Sequence, residues 1–190
     1  MPTSLSILVP LFNEEEFIAA LLRRVVEASL PAAMTRQIVV VDDGSTDGSG
    51  EVAEEFAAAH PGLIRVLRHP RNMGKGAAIR TALGEATGDY VIIQDADLEY
   101  DPGEYAHLLK PLIEGKADAV YGSRFMIAGE RRVLYYWHAL ANRALTGCLN
   151  LLADLNLTDI GTCYKAFRTA LLKSIPLRSD GFGFEAEITM

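Results

Sequence analysis

The 190-residue chain has little cysteine, and its basic residues are fewer than its acidic residues. The two cysteines, Cys148 and Cys163, lie far apart and lack C-x-x-C spacing, which predicts a reduced cytosolic pair rather than a disulfide framework. Lys and Arg total 18 against 25 Asp and Glu, which gives a net charge of −7. This balance argues against the broad basic face that nucleic-acid binders use, so we expect no nucleic-acid partner.

Long apolar runs are also missing from the chain. No stretch reaches about 18 uninterrupted apolar residues, so we expect no transmembrane helix. The N-terminus enters a strand-like segment without a basic region, and we expect no secretory signal. Residues 184–190 resemble the first turns of a helix, so we expect the natural chain to continue past Met190. With 49% apolar and 23% charged residues, the composition is typical of a soluble globular domain.

Strand-like apolar runs alternate with segments of helical periodicity. In the helical segments apolar residues recur every three or four positions, as at Phe17, Leu21 and Val25, with Asn13 as the expected N-cap. This alternation predicts βαβ units and an α/β fold with a Rossmann-like, doubly wound, mostly parallel sheet flanked by helices. We expect residues 1–125 to form the core and residues 126–190 a further segment of the same domain. The predicted strands are residues 5–9, 37–41, 63–67, 89–93 and 117–121.

Polar clusters follow three of the predicted strands. They comprise Asn13 and Glu14 after the first strand, residues 42–47 after the second, and Asp95 with Asp97 after the fourth. Each cluster alone is typical of helix capping. Because the carboxyl ends of parallel strands meet at one edge of a sheet, the three clusters together favour a ligand site there.

Three carboxylates, Asp95, Asp97 and Glu99, are spaced two residues apart after an apolar strand. If the extended geometry continues past Gln94, these side chains point the same way. Carboxylates that close together repel one another unless a cation lies between them, and hard divalent cations prefer oxygen ligands. The stretch therefore predicts a metal site that binds a diphosphate.

Three short motifs match known fingerprints only in part. Residues 48–53 fit the dinucleotide pattern G-x-G-x-x-A, but aspartates crowd that turn and no acidic ribose ligand follows. Residues 43–54 match much of a calcium-loop spacing, but they follow a strand where a calcium loop follows a helix. Residues 72–76 lack the hydroxyl residue of a phosphate loop. Lys75 in this segment either faces an anion together with the backbone N–H groups or is a solvated residue in a tight turn.

The order and spacing of the motifs resemble the inverting glycosyltransferases of family 2, which have a GT-A type fold. The motifs that carry this resemblance are PLFNEE, VVVDDGSTDG, NMGKGAAIR and QDADLEYDP. The later stretches AVYGSRF, DIGTCYKAF and GFGFEAEIT are similar to the dolichol-phosphate mannosyltransferase and polyprenyl-phosphate glycosyltransferase branch. The resemblance covers nearly the whole chain.

The resemblance implies a site for a nucleoside-diphosphate sugar and a divalent cation, Mg²⁺ or Mn²⁺. In this site Asp97 is the catalytic candidate, because with Asp95 and Glu99 it would ligate the cation that neutralises the departing diphosphate. The residues implied to bind the nucleotide-sugar are Pro10, Phe12, Glu14, Asp42 or Asp43, Lys75, Asp95 and Ala96.

Arginines after the fifth predicted strand are candidates for binding the acceptor. A guanidinium fork matches phosphate geometry, and the resemblance implies that Arg124, Arg131 and Arg132 bind the acceptor phosphate, with Arg124 also catalytic. A lipid monophosphate is already ionised at neutral pH, whereas a sugar hydroxyl requires a general base. The candidate bases are Asp159, Glu185 and Glu187.

An aromatic-rich amphipathic helix is predicted for residues 134–152. Polar residues interrupt it, so it cannot span a bilayer, and packing against the core is one interpretation. The other is that Tyr135, Tyr136 and Trp137 contact the membrane interface and guide a polyprenyl tail. We interpret His138 as a polar helix residue and Cys163 as a packing residue.

These observations predict a cytoplasmic glycosyltransferase, peripherally associated with the membrane surface, that transfers a hexose with inversion. The donor is expected to be GDP-mannose or UDP-glucose, and the acceptor a polyprenyl phosphate. One alternative is transfer to a saccharide hydroxyl. Another is a catalytically incomplete domain that binds nucleotides as a scaffold.

Overall fold

Six strands form one sheet in the computed structural model, which describes residues 3–31, 33–125 and 136–190. The strands are β1 Ser4–Leu11, β2 Thr35–Asp42, β3 Ile64–Arg68, β4 Tyr90–Ile93, β5 Ala119–Tyr121 and β6 Lys165–Arg168. The helices are α1 Glu15–Glu27, α2 Ser49–Ala58, α3 Lys75–Glu85, α4 Tyr105–Ile113, α5 Tyr136–Ala153, α6 Thr169–Ser174 and α7 Phe184–Glu187. A 3₁₀ turn, Pro102–Glu104, precedes α4.

The sheet has the strand order β3-β2-β1-β4-β6-β5. β1 pairs in parallel with β2 and with β4, and β2 pairs in parallel with β3. β6 is antiparallel to both of its neighbours, β4 and β5, so these two strands share the direction of the parallel part. The structure thus confirms the predicted mostly parallel, doubly wound α/β fold.

Helices cover both faces of the sheet, which explains the unbroken apolar character of its central strands. Adjacent residues of β1 enter different cores, with Ile7 on one face and Leu8 on the other. Helices α1, α2 and α4 pack on the first face, while α3, α6 and α7 pack on the second. Cys163 is buried in the second core, which agrees with its predicted packing role. The loops that follow the parallel strands therefore meet at one edge.

The position of β6 is the main feature of the fold that the sequence patterns do not predict. Its four residues, KAFR, carry a charge at each end and lack the apolar character of the other strands. They pair with β4 through the register Ile93↔Lys165 to Tyr90↔Arg168. The segment after residue 125 therefore supplies an interior strand of the sheet.

The predicted helix cap at Asn13 is wrong. Helix α1 begins at Glu15, and no side-chain hydrogen bond caps it. Asn13 instead has a φ of 53°, and its side-chain oxygen accepts a hydrogen bond from the Thr46 N–H at 2.9 Å. Its amide therefore joins the loop after β1 to the loop after β2.

The extended geometry of β4 ends at Ile93, before the acidic residues begin. The chain bends between Ala96 and Tyr100. The expectation that Asp95, Asp97 and Glu99 continue the alternation of the strand is therefore wrong. The bent loop, rather than the β pleat, determines where these carboxylates lie.

Candidate functional site

A cleft of about 430 Å³ opens where β1, β2 and β4 end, at the edge predicted to bind a ligand. Its volume lies within the usual range for small-molecule sites. We call it the first cleft. Its walls are the loops after the three strands, the first turns of α3 and the loop before α7; the lining residues are Pro10, Leu11, Phe12, Glu14, Asp43, Asn72, Gly74, Lys75, Ala78, Asp95, Ala96, Asp97, Gly181 and Phe182.

Most of the residues that the sequence predicts for the donor and the metal lie in the first cleft. They come from separate segments of the chain, so the fold rather than sequence proximity brings them together. These residues are Pro10, Phe12, Glu14, Asp43, Lys75, Asp95, Ala96 and Asp97.

Asp42 is an exception, because it does not line the first cleft. Successive side chains at a strand end point to opposite faces, and Asp42 points away from Asp43. Its buried carboxylate lies 2.9 Å from Arg68 Nε and accepts a hydrogen bond from the Ser45 N–H at 2.9 Å. This carboxylate stabilises the loop after β2, and of the alternatives Asp42 and Asp43 the cleft lining favours Asp43 for the predicted nucleotide contact.

Asp43 is buried in the wall of the first cleft and is held by three donors. Its Oδ1 accepts from His69 Nδ1 at 2.6 Å and from the Met73 N–H at 2.9 Å. Its Oδ2 accepts from the Gly74 N–H at 2.7 Å. The opposite ring nitrogen of the histidine, Nε2, lies 2.9 Å from Thr81 Oγ1. The orientation of this carboxylate is thus fixed before any ligand arrives.

Glu14 faces the first cleft from the loop after β1. The Glu14 N–H donates to Ser49 Oγ at 2.7 Å and the Asn13 N–H donates to Ser45 Oγ at 3.0 Å, so this loop is held against the loop after β2. Burial raises the pKa of the Glu14 carboxyl, and the negative charge of Asp97 raises it further. The cleft therefore carries negative charge that its own cations do not fully compensate.

The three carboxylates after β4 have different surroundings. Asp95 Oδ1 forms an ion pair with Lys75 Nζ at 2.6 Å. Burial raises the pKa of Asp97, and the charges of Asp95 and Glu99 raise it further, although the Glu99 N–H donates to Asp97 Oδ1 at 2.9 Å. Glu99 itself lines a neighbouring cleft rather than the first one. The predicted ligand set is therefore divided between two clefts.

A metal ion in the first cleft would need ligands beyond the side chains of the protein. Within residues 3–31, 33–125 and 136–190, no group of three or more His, Cys, Asp or Glu side chains is placed to hold a metal ion by itself. A cation at Asp97 would have to take further ligands from a bound diphosphate and from water. The raised pKa values of Asp97 and Glu14 fit such a cation, since burial and neighbouring carboxylates disfavour both charges, and the positive charge of Lys75 offsets this only in part at Asp97.

Lys75 begins α3 and lines both clefts. The preceding Gly74 has a φ of 98°, a conformation that favours glycine, and a Cβ there would meet the backbone of the loop before α7. Burial alone would lower the pKa of Lys75. The negative charges of neighbouring groups, among them Asp95 and Glu185, outweigh burial and raise its pKa, so the ammonium stays charged.

The second cleft, of about 470 Å³, adjoins the first and shares Lys75, Asp95 and Phe182 with it. Helix α5 and the segment before β6 form its outer wall. Its remaining lining residues are Glu99, Tyr100, Arg124, Asn142, Leu145, Leu149, Ile160, Gly161, Glu185 and Ala186.

Arg124 reaches the second cleft, as an acceptor-binding residue should, but part of its guanidinium is already engaged. Its Nε and one terminal nitrogen each donate to Asp159 at 2.8 Å, and its backbone N–H donates to the same carboxylate at 3.0 Å. Asn142 Nδ2 also donates to Asp159 at 2.9 Å. This buried carboxylate thus fixes the direction in which the guanidinium faces the cleft.

The three candidate bases differ in their surroundings. Burial raises the pKa of Asp159, but the hydrogen bonds from Arg124 and Asn142 outweigh it and the pKa is lowered, so this residue is a poor base. Glu187 accepts hydrogen bonds from Ser179 and lies outside both clefts. Glu185 lines the second cleft and pairs with the buried Lys165, and burial raises its pKa. Of the three, Glu185 alone is placed to take a proton from a bound group.

Several residues of the site carry no signal in the sequence. His69 and Asn142 hold Asp43 and Asp159 from distant parts of the chain, and Phe182 is 77% exposed at the junction of the clefts. No local periodicity or spacing marks such partners. The motif GFGFEAEIT contains Phe182, but without a fold its position at both clefts is not apparent.

Arg131, Arg132 and Tyr135 lie outside the described residues. Their predicted roles at the acceptor phosphate and the membrane interface remain predictions.

Helix α5 is mostly exposed. Thr146 is its buried residue, whereas Tyr136 and Trp137 are 72% and 74% exposed, and Leu151 and Leu152 are 85% and 76% exposed. The helix is therefore not packed into the core, which was one of the two interpretations of this segment. In the described part of the chain, no helix has the length and apolar character needed to cross a membrane.

The fold and the clefts define a doubly wound α/β protein with an acidic ligand site at the carboxyl ends of its strands. The family model for glycosyl transferase family 2 matches residues 6–175, and the chain belongs to this family. The match confirms the resemblance found in the motifs.

Curated relatives include enzymes of polyprenyl-phosphate sugar transfer. The undecaprenyl-phosphate 4-deoxy-4-formamido-L-arabinose transferase of Edwardsiella ictaluri is 31% identical over 172 residues, which cover 90% of this chain and 50% of that protein. The polyprenol monophosphomannose synthase of Mycolicibacterium smegmatis is 31% identical over 189 residues, with coverages of 96% and 69%. The dolichol-phosphate mannosyltransferase of Pyrococcus furiosus is 28% identical over 185 residues, with coverages of 96% and 51%. The chain thus spans about half the length of two of these relatives.

Solved structures with a similar fold are GT-A glycosyltransferases. Glucosyl-3-phosphoglycerate synthase from Mycobacterium tuberculosis, in complex with Mn²⁺, UDP and phosphoglyceric acid, has a TM-score of 0.74 at 23% identity and covers 98% of this chain and 62% of its own. A mannosyltransferase from Pyrobaculum calidifontis, in complex with GDP-Man and Mn²⁺, has a TM-score of 0.66 at 25% identity, with coverages of 99% and 50%. These similarities confirm the fold.

Proposed function

We propose that this chain carries the donor site and part of the acceptor site for moving a hexose from a nucleoside-diphosphate sugar to a polyprenyl phosphate. The observation that carries the proposal is the junction of the two clefts, which share Lys75, Asp95 and Phe182. A donor in the first cleft and an acceptor in the second would meet there. The relatives named for undecaprenyl phosphate, polyprenol and dolichol phosphate support a lipid phosphate as acceptor.

The donor diphosphate lies beside Asp97 and the first turn of α3. Asp97, with Asp95, would hold Mg²⁺ or Mn²⁺, and when bound this cation neutralises the diphosphate leaving group. The similar structures that contain Mn²⁺ with UDP or GDP-Man support a divalent cation. Lys75 adds a second positive charge at the N-terminus of the helix, where backbone N–H groups also favour an anion.

The acceptor phosphate lies in the second cleft against Arg124, whose guanidinium Asp159 holds in place. Because a phosphate monoester is ionised at neutral pH, its oxygen needs no base before it attacks the anomeric carbon. The attack occurs on the side opposite the diphosphate, which leaves with the electron pair of the broken C–O bond. The configuration at that carbon is therefore inverted.

A second candidate function is transfer to a saccharide hydroxyl, and Glu185 is the observation that favours it. This carboxyl lines the second cleft, and burial raises its pKa, as a general base for a hydroxyl requires. Its ion pair with Lys165 holds the side chain in place. With a phosphate acceptor, the same residue would have no proton to remove.

We also propose that α5 lies at a membrane surface. Its exposed Tyr136 and Trp137 are of the type that settles at the interface between lipid and water. Leu145 and Leu149 of the same helix line the second cleft and would contact the first isoprene units of the acceptor. Binding to vesicles with and without a polyprenyl phosphate would test this orientation.

The proposed function is tested by transfer of a labelled hexose from UDP-glucose and from GDP-mannose to a short polyprenyl phosphate, with Mn²⁺, with Mg²⁺ and with EDTA. We expect transfer to the lipid that requires a divalent cation. Transfer to a saccharide acceptor but not to the lipid would support the second candidate instead. Absence of cation-dependent nucleotide binding would overturn both enzymatic functions. Binding without transfer to any acceptor would favour the scaffold.

The assay also compares a test variant, Asp97→Asn, with a matched control variant, Asp118→Asn. Asp97→Asn is expected to abolish transfer, because the variant loses a ligand of the cation. Asp118→Asn changes an exposed carboxylate just before β5, at the opposite end of the sheet from the clefts, and is expected to leave transfer unchanged.

A further inference from the structure

The hydrogen bonds of Asp43 leave one acceptor position of its carboxylate for a ligand. Each carboxylate oxygen accepts about two hydrogen bonds. Oδ1 already accepts two, from His69 Nδ1 and from the Met73 N–H, whereas Oδ2 accepts one, from the Gly74 N–H. The side chain is 4% exposed and lines the first cleft, so a ligand in this cleft can donate to the remaining position on Oδ2.

Nucleotide bases differ in the number of donors that they present to a carboxylate. The Watson–Crick edge of guanine presents two adjacent donors, N1–H and N2–H, which match both oxygens of a free carboxylate. The corresponding edge of uracil presents one donor, N3–H, between two carbonyl oxygens. An unpaired donor buried against an occupied Oδ1 costs guanine free energy that uracil does not lose.

We infer that the donor nucleotide is a uridine diphosphate rather than a guanosine diphosphate, because Asp43 offers one oxygen to the base. The inference rests on the proposed function and names its donor class.

His69 is the positioning residue for this selection. Asp43 accepts the bond, so the hydrogen lies on Nδ1, and in the neutral ring Nε2 then accepts from the Thr81 hydroxyl at 2.9 Å. The side chain is 10% exposed and does not line the cleft. It therefore acts through Asp43 by keeping Oδ1 occupied, and removing it would free the second oxygen that guanine needs.

The test is a calorimetric titration of the whole chain with UDP and with GDP, each with Mn²⁺. We expect UDP to bind about ten- to a hundredfold more tightly. GDP binding as tightly as UDP or more tightly would overturn the inference and leave the proposed function intact. If neither nucleotide binds, the proposed function itself fails.

Variants test the positioning role. In His69→Ala the ratio of UDP to GDP affinity should fall severalfold or more, whereas His69→Asn retains a donor near the Nδ1 position and should keep most of the ratio. His60→Ala is the matched control, because this histidine bonds the Phe56 carbonyl and lies outside both clefts. An unchanged ratio in a folded His69→Ala would refute the role of His69.

A modified ligand makes the test independent of any variant's folding. N3-methyl-UDP lacks the imide hydrogen and retains the diphosphate. We expect it to bind the unmodified chain at least about tenfold more weakly than UDP. Equal binding of the two nucleotides would show that no donor of the base reaches Asp43, and the inference would be overturned.

Discussion

Asp97 is a carboxylate that the fold holds among other carboxylates. Its own burial and the charges of Asp95 and Glu99 raise its pKa, which means that the folded chain disfavours its ionised form. In the absence of a cation, this arrangement opposes folding at neutral pH. Ligand binding and stability therefore respond in opposite directions to a change at this residue.

The substitution Asp97→Asn separates these two effects. It should raise the thermal midpoint of the metal-free chain by about 1–3 °C, because the repulsion and the cost of burying a charge disappear. It should also weaken Mn²⁺-supported nucleotide binding at least about tenfold. Differential scanning calorimetry and titration calorimetry measure the two quantities. A lower midpoint together with unchanged binding would contradict this account of Asp97.

Two ion pairs of equal length test the importance of burial. Arg124 Nε lies 2.8 Å from Asp159, whose side chain is fully buried, and Arg168 Nε lies 2.8 Å from Asp118, whose side chain is 75% exposed. We expect Asp159→Asn to lower the free energy of unfolding by about 2–4 kcal/mol, because it leaves buried donors and a cation poorly paired. Asp118→Asn should cost less than about 1 kcal/mol.

Urea denaturation measures both free energies of unfolding. If the two variants lose similar stability, Asp159 is not the anchor that the structure indicates.

In the assay for transfer to a lipid phosphate, Arg124→Lys should raise the KM for the acceptor, since lysine keeps the charge but cannot reproduce the fork of the guanidinium.

At the scale of elements, helix α3 is fitted closely to the loop before α7. Arg80 Nη1 donates to the Ser179 carbonyl at 2.8 Å, and the Ala77 N–H donates to the Asp180 carbonyl at 3.1 Å. A Cβ on Gly76 would meet the carbonyl oxygen of Ser179. The same loop brings Phe182 to both clefts, so the fit between these elements also shapes the site.

Two glycines of α3 should therefore respond oppositely to alanine. Gly76→Ala is expected to destabilise the chain by about 1–3 kcal/mol and to weaken nucleotide binding, because the loop that carries Phe182 must move. Gly84→Ala is expected to stabilise it by up to about 1 kcal/mol, since that position is exposed with open space around it. Chemical denaturation of both variants checks the signs. A neutral Gly76→Ala would show that the loop adapts without cost.

The sequence predicts elements well where periodicity decides them. The apolar runs of β1 to β5 and the pattern at Phe17, Leu21 and Val25 place these elements to within a few residues, because burial on both faces and 3.6-residue spacing leave a local signature. Strand β6 leaves none. Its residues become interior because β4 and β5 lie on either side of it, which is a non-local cause.

The same distinction between local and non-local causes applies to the candidate site. The cluster at strand ends follows from parallel topology, so Asp43 and Asp97 could be expected at one edge. The engagement of Arg124 by Asp159 and of Asp43 by His69 could not, since no rule of spacing connects residues so far apart. Sequence also placed Asp42 with Asp43, and the alternation of side chains separates them.

At the scale of the whole molecule, two buried tyrosines, Tyr105 and Tyr164, and two half-buried ones, Tyr100 and Tyr121, occupy helix α4, the loop after β4, β5 and the segment before β6. Burial raises the pKa of Tyr100 and Tyr121 to about 12, and burial raises that of Tyr105 and Tyr164 as well. The Cys163 N–H donates to the Tyr100 hydroxyl at 3.0 Å, and the Tyr121 hydroxyl donates to the Ile188 carbonyl at 3.2 Å. Ionising Tyr105 or Tyr164 would place an uncompensated charge in the core, and ionising Tyr100 or Tyr121 is opposed by their partial burial.

An alkaline limit to stability follows from these tyrosines. Because their pKa is higher in the folded chain than the ordinary value of about 10, their contribution is fully present below pH ~10 and is lost as the pH rises toward about 12. We expect the free energy of unfolding to fall steeply over this interval. Circular dichroism with absorbance at 295 nm follows unfolding and phenolate formation together. Ionisation of all tyrosines near pH 10 without unfolding would contradict this prediction.

The placement of β6 between β4 and β5 also determines the order in which the strands of the sheet can pair during synthesis. β5 leaves the ribosome well before β6, the strand beside which it lies in the sheet. Until then its backbone donors and acceptors on that side are open, although α4 already packs nearby. The parallel half of the sheet can assemble as the chain emerges, whereas closure at β5 waits for residues made much later. This is the stage of biogenesis at which a nascent chain is most exposed to wrong strand pairing, and at which a chaperone would have most to protect.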